Sequence, residues 1–337
     1  MANKAIRSVC HRIYNTARMK QGFEKSMLKP QRRVKRARSI VARATETEIN
    51  LAFKPPYDWQ TIIRFYVSHP IPGIERVTEE SFERVFRLGT RIGFFHVQAM
   101  VNKSKFKVRI VAAHPKMFVE VVRRVRRMFD LDADPIVIAN CFARVPVLAK
   151  LCDRFPGLRL PRGWDPFETA ICSILGQLVS AEQRSNLVDQ IVRAYGDKIT
   201  HPVSGEETRL FPRPEVLAKS DLKRVGTTVA RKEAIRDFSR RVLAGAISLS
   251  ETQEPTAFRK ALLETKGLGP WSAEYISLRT LDDTDAFPKT DLILKRVFEL
   301  HPDLDLEPIR PWRSYAAIYL WKEFAQALSK RRKEKRT

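Results

Sequence analysis

The run Leu262-Leu-Glu-Thr-Lys-Gly-Leu-Gly-Pro-Trp-Ser-Ala273 narrows what this chain can fold into more than any other stretch. Two helical patterns meet here across Gly267 and Gly269, so the helices are pinched together by a tight turn. Glycine admits the left-handed backbone such a turn needs and lets another backbone come close. Pro270 suits the first turn of the following helix, where an N–H would have no partner. About twenty residues later, Phe287-Pro-Lys-Thr-Asp-Leu292 sets a carboxylate, Asp291, at the start of another helix. The chain has thirteen glycines in 337 residues, so two of them in one turn carry information.

The flanking patterns give the turn its context. Residues 59–66 have apolar spacing for a short helix, and 82–88, 93–101 and 106–112 are rich in β-branched and aromatic residues. In the last of these, Phe106, Val108 and Ile110 face one way and Lys105, Lys107 and Arg109 the other, as in a sheet with one wet face. Asn102-Lys-Ser104 suits a turn between strands. Residues 115–129 predict an amphipathic helix covering the sheet, its polar face carrying Arg123, Arg124, Arg126 and Arg127. Beyond Asp130 the pattern is helical, with helices expected at 165–175, 181–195, 213–219, 230–244, 256–265, 271–280, 292–300 and 312–328. Asp165 with Glu168 three residues on predicts a capping box. The expected class is α+β: a small antiparallel sheet domain with helices, packed directly on an all-α body.

Charge bears on what such a body would bind. The net charge is +24, with thirteen Lys/Arg against three Glu in residues 1–50 and six against one in residues 329–337. A basic body with basic tails points to a polyanion, most often nucleic acid. Residues 1–48 predict a disordered basic extension, either a DNA-binding arm or a targeting segment, and 329–337 a basic tail. The cysteines Cys10, Cys141, Cys152 and Cys172 have no C-x-x-C spacing, which argues for free thiols and against zinc or an iron–sulfur cluster. No run of eighteen apolar residues is present.

Backbone N–H groups at a helix start, here those of Leu268, Gly269 and Trp271, bind phosphate without reading sequence. An ionised Asp291 beside a bound sugar would stabilise positive charge at C1′ or orient a water against it. Each feature alone has a plainer reading, as a helix connection and as a helix cap. Together, Lys266-Gly-Leu-Gly-Pro-Trp-Ser-Ala273 and Phe287-Pro-Lys-Thr-Asp291 resemble the helix-hairpin-helix and Gly/Pro…Asp signature of the DNA glycosylase superfamily. Pro55-Pro-Tyr-Asp-Trp59, Phe129-Asp-Leu131, Pro156-Gly-Leu-Arg-Leu-Pro161, Phe167-Glu168 through Ser180, and Pro311-Trp-Arg-Ser-Tyr315 extend the likeness to the 3-methyladenine DNA glycosylase II (AlkA-type) branch. The resemblance runs from about Leu51 to Trp321.

The resemblance implies an N-terminal domain over 49–131, a helical glycosylase region over 132–328 with its hairpin at 256–280, and roles residue by residue. Asp291 would be the catalytic carboxylate. Phe65, Trp271, Tyr275 and Trp312 would line the base pocket. Gln177, Leu178, Gly267, Leu268, Gly269 and Ser272 would meet DNA, with Leu178 as the wedge. A monovalent cation could sit at the carbonyls of Lys266 and Leu268, with no other cofactor. Trp271 fills the position where lyase branches carry a lysine nucleophile, implying base removal without strand cleavage. Lys266 stands where a proline is common, and Leu292 where the branch often has an aromatic. The implied protein is a monomeric base-excision repair enzyme acting on alkylated bases in duplex DNA. It would be cytoplasmic in a bacterium, nuclear or organellar in a eukaryote, and independent of membranes. A glycosylase for deaminated or oxidised purines and a non-catalytic DNA clamp are the alternatives.

Overall fold

The computed structural model describes residues 44–334, without the side chains of 329–333. Most of the expected basic extension therefore lies outside the described residues. Its last part is corrected: residues 45–48 belong to β1 (Thr45–Ala52), an edge strand along β5 (Lys105–Ala112). The sheet is antiparallel with order β1-β5-β4-β3-β2, where β2 is Glu75–Val77, β3 Ser81–Leu88 and β4 Arg91–Met100. Strand β1 escapes a propensity reading because its outward positions are acidic. Those acids meet the basic row of β5, Glu46 on Arg109 at 2.6 Å and Glu48 on Lys107 at 2.9 Å. Diagonal cross-strand pairs of this kind support a register that the inward Ile49 and Leu51 also favour.

The inner sheet face buries Phe82, Phe95, Val97, Phe106, Val108 and Ile110 against α1 (Trp59–Ser68) and α2 (Pro115–Met128). The other face is wet only in part, since Val85, Phe94 and Val111 join the core of the helical body. That body comprises α3 (Pro135–Phe142), α4 (Pro146–Arg154), α5 (Pro166–Leu175), α6 (Ala181–Tyr195), α7 (Pro214–Lys219) and α8 (Val229–Leu243). It continues with α9 (Pro255–Leu263), α10 (Pro270–Thr280), α11 (Leu292–Leu300) and α12 (Arg313–Glu334). Helices α3 and α4 go beyond the expected set, as does a small hairpin of β6 (Lys198–Thr200) and β7 (Glu207–Arg209). α12 continues six residues past its expected end.

Two further expectations are corrected at the junction between sheet and body. Asp165 does cap α5, accepting from Phe167 and Glu168 N–H, but Glu168 does not reach back to close a box. Its carboxylate instead pairs with the buried Arg84, which also holds Glu75. Burial lifts the Glu168 carboxyl to about 7 against the pull of Arg84. The arginines of α2 are not simply a solvated face either. Arg127 is buried and donates to Asp282 at 2.9 Å, and Arg123 reaches Glu251 at 2.6 Å. These pairs fasten the sheet to the body, and with them α1 is fixed beside α10.

Candidate active site

Three local structures build the site. The first is the hairpin between α9 and α10. Gly267 has φ of +83° and its missing Cβ would come 3.1 Å from Ala234, so only glycine is at ease there. Gly269 is extended, with φ −102° and ψ −179°, and acts as the N-cap of α10. Its role is clearance, since nothing lies within 4 Å of where its Cβ would stand. Of the three N–H groups expected to point outward together, that of Leu268 is already used, donating to Thr265 O at 3.1 Å. The Leu268 side chain is buried in the body's core. The carbonyls of Lys266 and Leu268 accept no hydrogen bond among the described residues, whereas those of Thr265, Gly267 and Gly269 do. That pair of unengaged oxygens fits the monovalent cation that the resemblance implies.

The second structure is the turn between α5 and α6. Leu178 sits there with φ of +55° and 81% of its surface exposed. A branched side chain in the left-handed region, presented to solvent, costs stability on both counts. Gln177 beside it points inward: its Nε2 donates to Gly267 O at 3.2 Å and to Ser272 Oγ at 2.9 Å. The Arg231 guanidinium of α8 donates to the Gln177 carbonyl. Gln177 and Ser272 thus tie the Leu178 turn to the hairpin.

The third is the start of α11. Asp291 caps it, its Oδ1 accepting from Ile293 N at 3.0 Å and Leu294 N at 3.2 Å. The same oxygen accepts from Trp321 Nε1 at 3.0 Å, and Oδ2 accepts from Trp271 Nε1 at 2.9 Å. Trp271 stacks on Tyr275 at 5.0 Å with 12° between the rings, and Trp321 flanks Tyr275 at 6.3 Å. Phe65 reaches the same cluster from α1, lying 4.4 Å from the Arg279 guanidinium that also faces Tyr275. His69 stacks on Phe65 at 4.6 Å, and burial holds its imidazole down at about 3.

Of the four aromatics expected at the pocket, the structure brings three together and substitutes the fourth. Trp312 packs edge-on against the buried Tyr315 at 5.8 Å and has no ring contact with Trp271 or Tyr275. Trp321, nine residues on, is the tryptophan that bonds Asp291 and flanks Tyr275. The start of α12 carries the family resemblance, and no local signal distinguishes the two tryptophans. Arg279 was also missed, although its spacing of four from Tyr275 and eight from Trp271 was readable.

Comparisons with known proteins place relatives beside this fold. Residues 48–165 match the model of the AlkA N-terminal domain. The chain is 28% identical to DNA-3-methyladenine glycosylase 2 of Escherichia coli, over 80% of this chain and 95% of that protein. It is 30% identical to the probable bifunctional transcriptional activator/DNA repair enzyme AlkA of Mycobacterium tuberculosis, over 85% of this chain and 59% of that protein. Over most of its length the chain is thus similar to DNA-3-methyladenine glycosylases of the AlkA type. A solved 3-methyladenine DNA glycosylase from Archaeoglobus fulgidus shares the fold, with a TM-score of 0.66 at 20% identity, covering 81% of this chain and 96% of that one. In this chain the carboxylate, the hairpin and the exposed leucine lie on three different connections, held together by Gln177 and the two tryptophans. Among the described residues no group of His, Cys, Asp and Glu could hold a metal ion, and no helix is long and apolar enough to cross a membrane.

Proposed function

We propose that the protein is a DNA glycosylase of alkylation repair, hydrolysing the N-glycosidic bond of alkylated bases such as 3-methyladenine and 7-methylguanine in duplex DNA. The observation that carries this reading is the Asp291 carboxylate, held by two indole N–H groups and two backbone N–H groups at the edge of a stacked aromatic cluster. Four fixed donors orient the carboxylate while adding no cation, so its negative charge remains directed at a sugar placed beside it. That is what an oxocarbenium-like transition state at C1′ requires. Leu178 would fill the gap left in the duplex by the extruded nucleotide, offsetting part of the unstacking cost. The free N–H groups at the start of α10 would hold a phosphate. A monovalent cation at the Lys266 and Leu268 carbonyls would add positive charge at the same phosphate.

The aromatic cluster around Trp271 suits an electron-poor base. With Trp271 donating to Asp291 there is no amine at that position to attack C1′, which supports base removal without strand cleavage. The duplex would be bound chiefly through phosphates, by one copy of the chain, with affinity falling steeply in salt. The test is base release from dimethyl sulfate-treated duplex DNA, followed by gel analysis with and without hot alkali. Free 3-methyladenine or 7-methylguanine, with strand breaks only after alkali, is the expected result. Failure to release either base would sink the activity, and breaks without alkali would sink the monofunctional part.

A further inference from the structure

Helix α10 carries three planar groups at one helical interval. Trp271, Tyr275 and Arg279 stand four residues apart, so they line a single face one above another. The guanidinium of Arg279 lies 5.0 Å from the Tyr275 ring and 5.7 Å from the Trp321 ring, while Phe65 closes over it at 4.4 Å. The result is a column of flat groups with a full positive charge inside it.

The surroundings of that charge are not those of the other buried arginines. Arg279 is 4% exposed, and no carboxylate pairs with it among the described residues. Its Nη1 donates to the Pro161 carbonyl at 2.8 Å, and its buried Nε, like those of Arg84 and Arg159, has no partner. Arg84, Arg127 and Arg162 each hold an acid. Arg159 lacks one, but three carbonyls, those of Lys54, Pro56 and Ala133, receive its N–H groups. A buried cation without an acid is costly, and a neutral side chain would fill the same space more stably. Packing therefore does not account for Arg279.

Position does. Asp291 is bonded to Trp271 near the start of α10, and Arg279 stands eight residues along the same helix, about 12 Å away at 1.5 Å per residue. Negative charge marks the sugar end of the aromatic cluster and positive charge the far end. We propose that Arg279 is a positioning residue for bond cleavage, which together with Asp291 sets a field along α10 that draws the glycosidic electron pair toward the leaving base. This rests on the glycosylase reading above.

The charge balance of the reaction explains why this works. When the C1′–N bond breaks, its electron pair stays with the base nitrogen and C1′ becomes cation-like beside Asp291. A water oxygen then bonds to C1′, and its surplus proton passes through Asp291 to solvent. A base that was cationic leaves neutral; a base that was neutral takes a proton from solvent as it leaves. In both cases one unit of negative charge moves from sugar to base, and Arg279 stabilises the base end. In the ground state the same guanidinium repels a base that is already cationic. It also occupies the faces of Tyr275 and Trp321 that would otherwise attract one. Faster cleavage and weaker binding of cationic bases therefore come together.

The test compares the full chain with Arg279→Met, which removes the charge, and Arg279→Lys, which keeps it. Single-turnover release is followed on duplexes carrying 7-methylguanine, which is cationic, or hypoxanthine, which is neutral. Affinity for both is measured in an Asp291→Asn background to prevent turnover. Arg279→Met is expected to slow release by roughly tenfold to a hundredfold, below the hundredfold to thousandfold scale of losing a preorganised donor at the reacting atoms because Arg279 acts from a distance. It should bind the 7-methylguanine duplex as well as or better than the parent, and Arg279→Lys should recover part of the rate. Wild-type release from Arg279→Met would overturn the inference. So would equal losses in the Met and Lys variants accompanied by a fall in affinity for both duplexes, the pattern of a merely structural residue. If Arg279→Met does not fold, Arg279→Gln, which keeps a donor for Pro161, is judged by the same criteria. If the parent releases only 7-methylguanine, that duplex decides. Release of neither base by the parent would fail the glycosylase reading itself, whereas release by the parent and Arg279→Met alike overturns only the role of Arg279.

Discussion

Asp165 at the start of α5 and Asp291 at the start of α11 cap their helices in the same way. One oxygen of each accepts from two backbone N–H groups, at 2.9 and 3.1 Å for Asp165 and at 3.0 and 3.2 Å for Asp291. Their remaining surroundings differ. The other oxygen of Asp165 faces the Arg124 guanidinium at 3.6 Å, at the junction between sheet and body. Asp291 meets no cation within ion-pair distance among the described residues and is held instead by the indoles of Trp271 and Trp321. A cation neutralises a carboxylate and ends its usefulness; two neutral donors orient it and leave its charge for something else. The cap is a local device common to both, and the third dimension decides which of them keeps its charge unpaired.

The largest effect expected from this contrast is on catalysis. Asp291→Asn should lower base release by roughly a thousandfold, since it removes the charge opposite C1′. Its stability should change little, because Asn caps a helix as well as Asp. Asp165→Asn should leave release within about twofold of the parent, as a substitution remote from the site; equal losses in both variants, measured by single-turnover release, would break the comparison. Next, Trp321→Phe removes one charge-assisted hydrogen bond, worth about 1.5–3 kcal/mol, so release should slow by about tenfold or more. Trp312→Phe should not slow it, and the reverse order would restore the assignment made from sequence.

A smaller effect is expected at the Leu178 turn. Leu178→Gly should slow release by about tenfold through loss of the wedge. Its melting temperature should hold or rise, since glycine relieves a left-handed conformation that costs roughly 1 kcal/mol or more. A fall in stability would mean the leucine packs rather than probes. The smallest effect concerns pH. Burial keeps His69 neutral down to about 3, against the usual 6.5. Above about 6.5 this has no consequence. As pH falls below it, the unfolded chain binds a proton that the folded chain refuses, so stability declines by up to about 1.4 kcal/mol per unit. Denaturant unfolding between pH 7 and 5 should show a shallower decline in His69→Gln; an unchanged slope would exclude His69 as the source.

Much of the fold was legible because helices announce themselves locally. The limits of α6 and α11 follow from apolar period and caps, and β3, β4 and β5 from their β-branched and aromatic content. β1 was not legible, because its acids gain meaning only beside the basic row of β5, sixty residues away. Helices α3 and α4 are short, and α3 is apolar almost all round, so they merged into their surroundings. Glu168 looked like half of a capping box and became the partner of Arg84, since a buried arginine outbids a backbone N–H for a carboxylate.

By itself, the sequence determined the pinched hairpin and the carboxylate at a helix start, because glycine's backbone freedom and the unsatisfied N–H groups of a helix end are properties of a few neighbouring residues. Which tryptophan holds Asp291, how Gln177 fastens its turn to Gly267, and the placing of Arg279 beneath three aromatic rings were decided by tertiary structure alone. Such contacts join side chains from helices dozens of residues apart, and an indole N–H reads the same in sequence whether it ends against core or against a carboxylate.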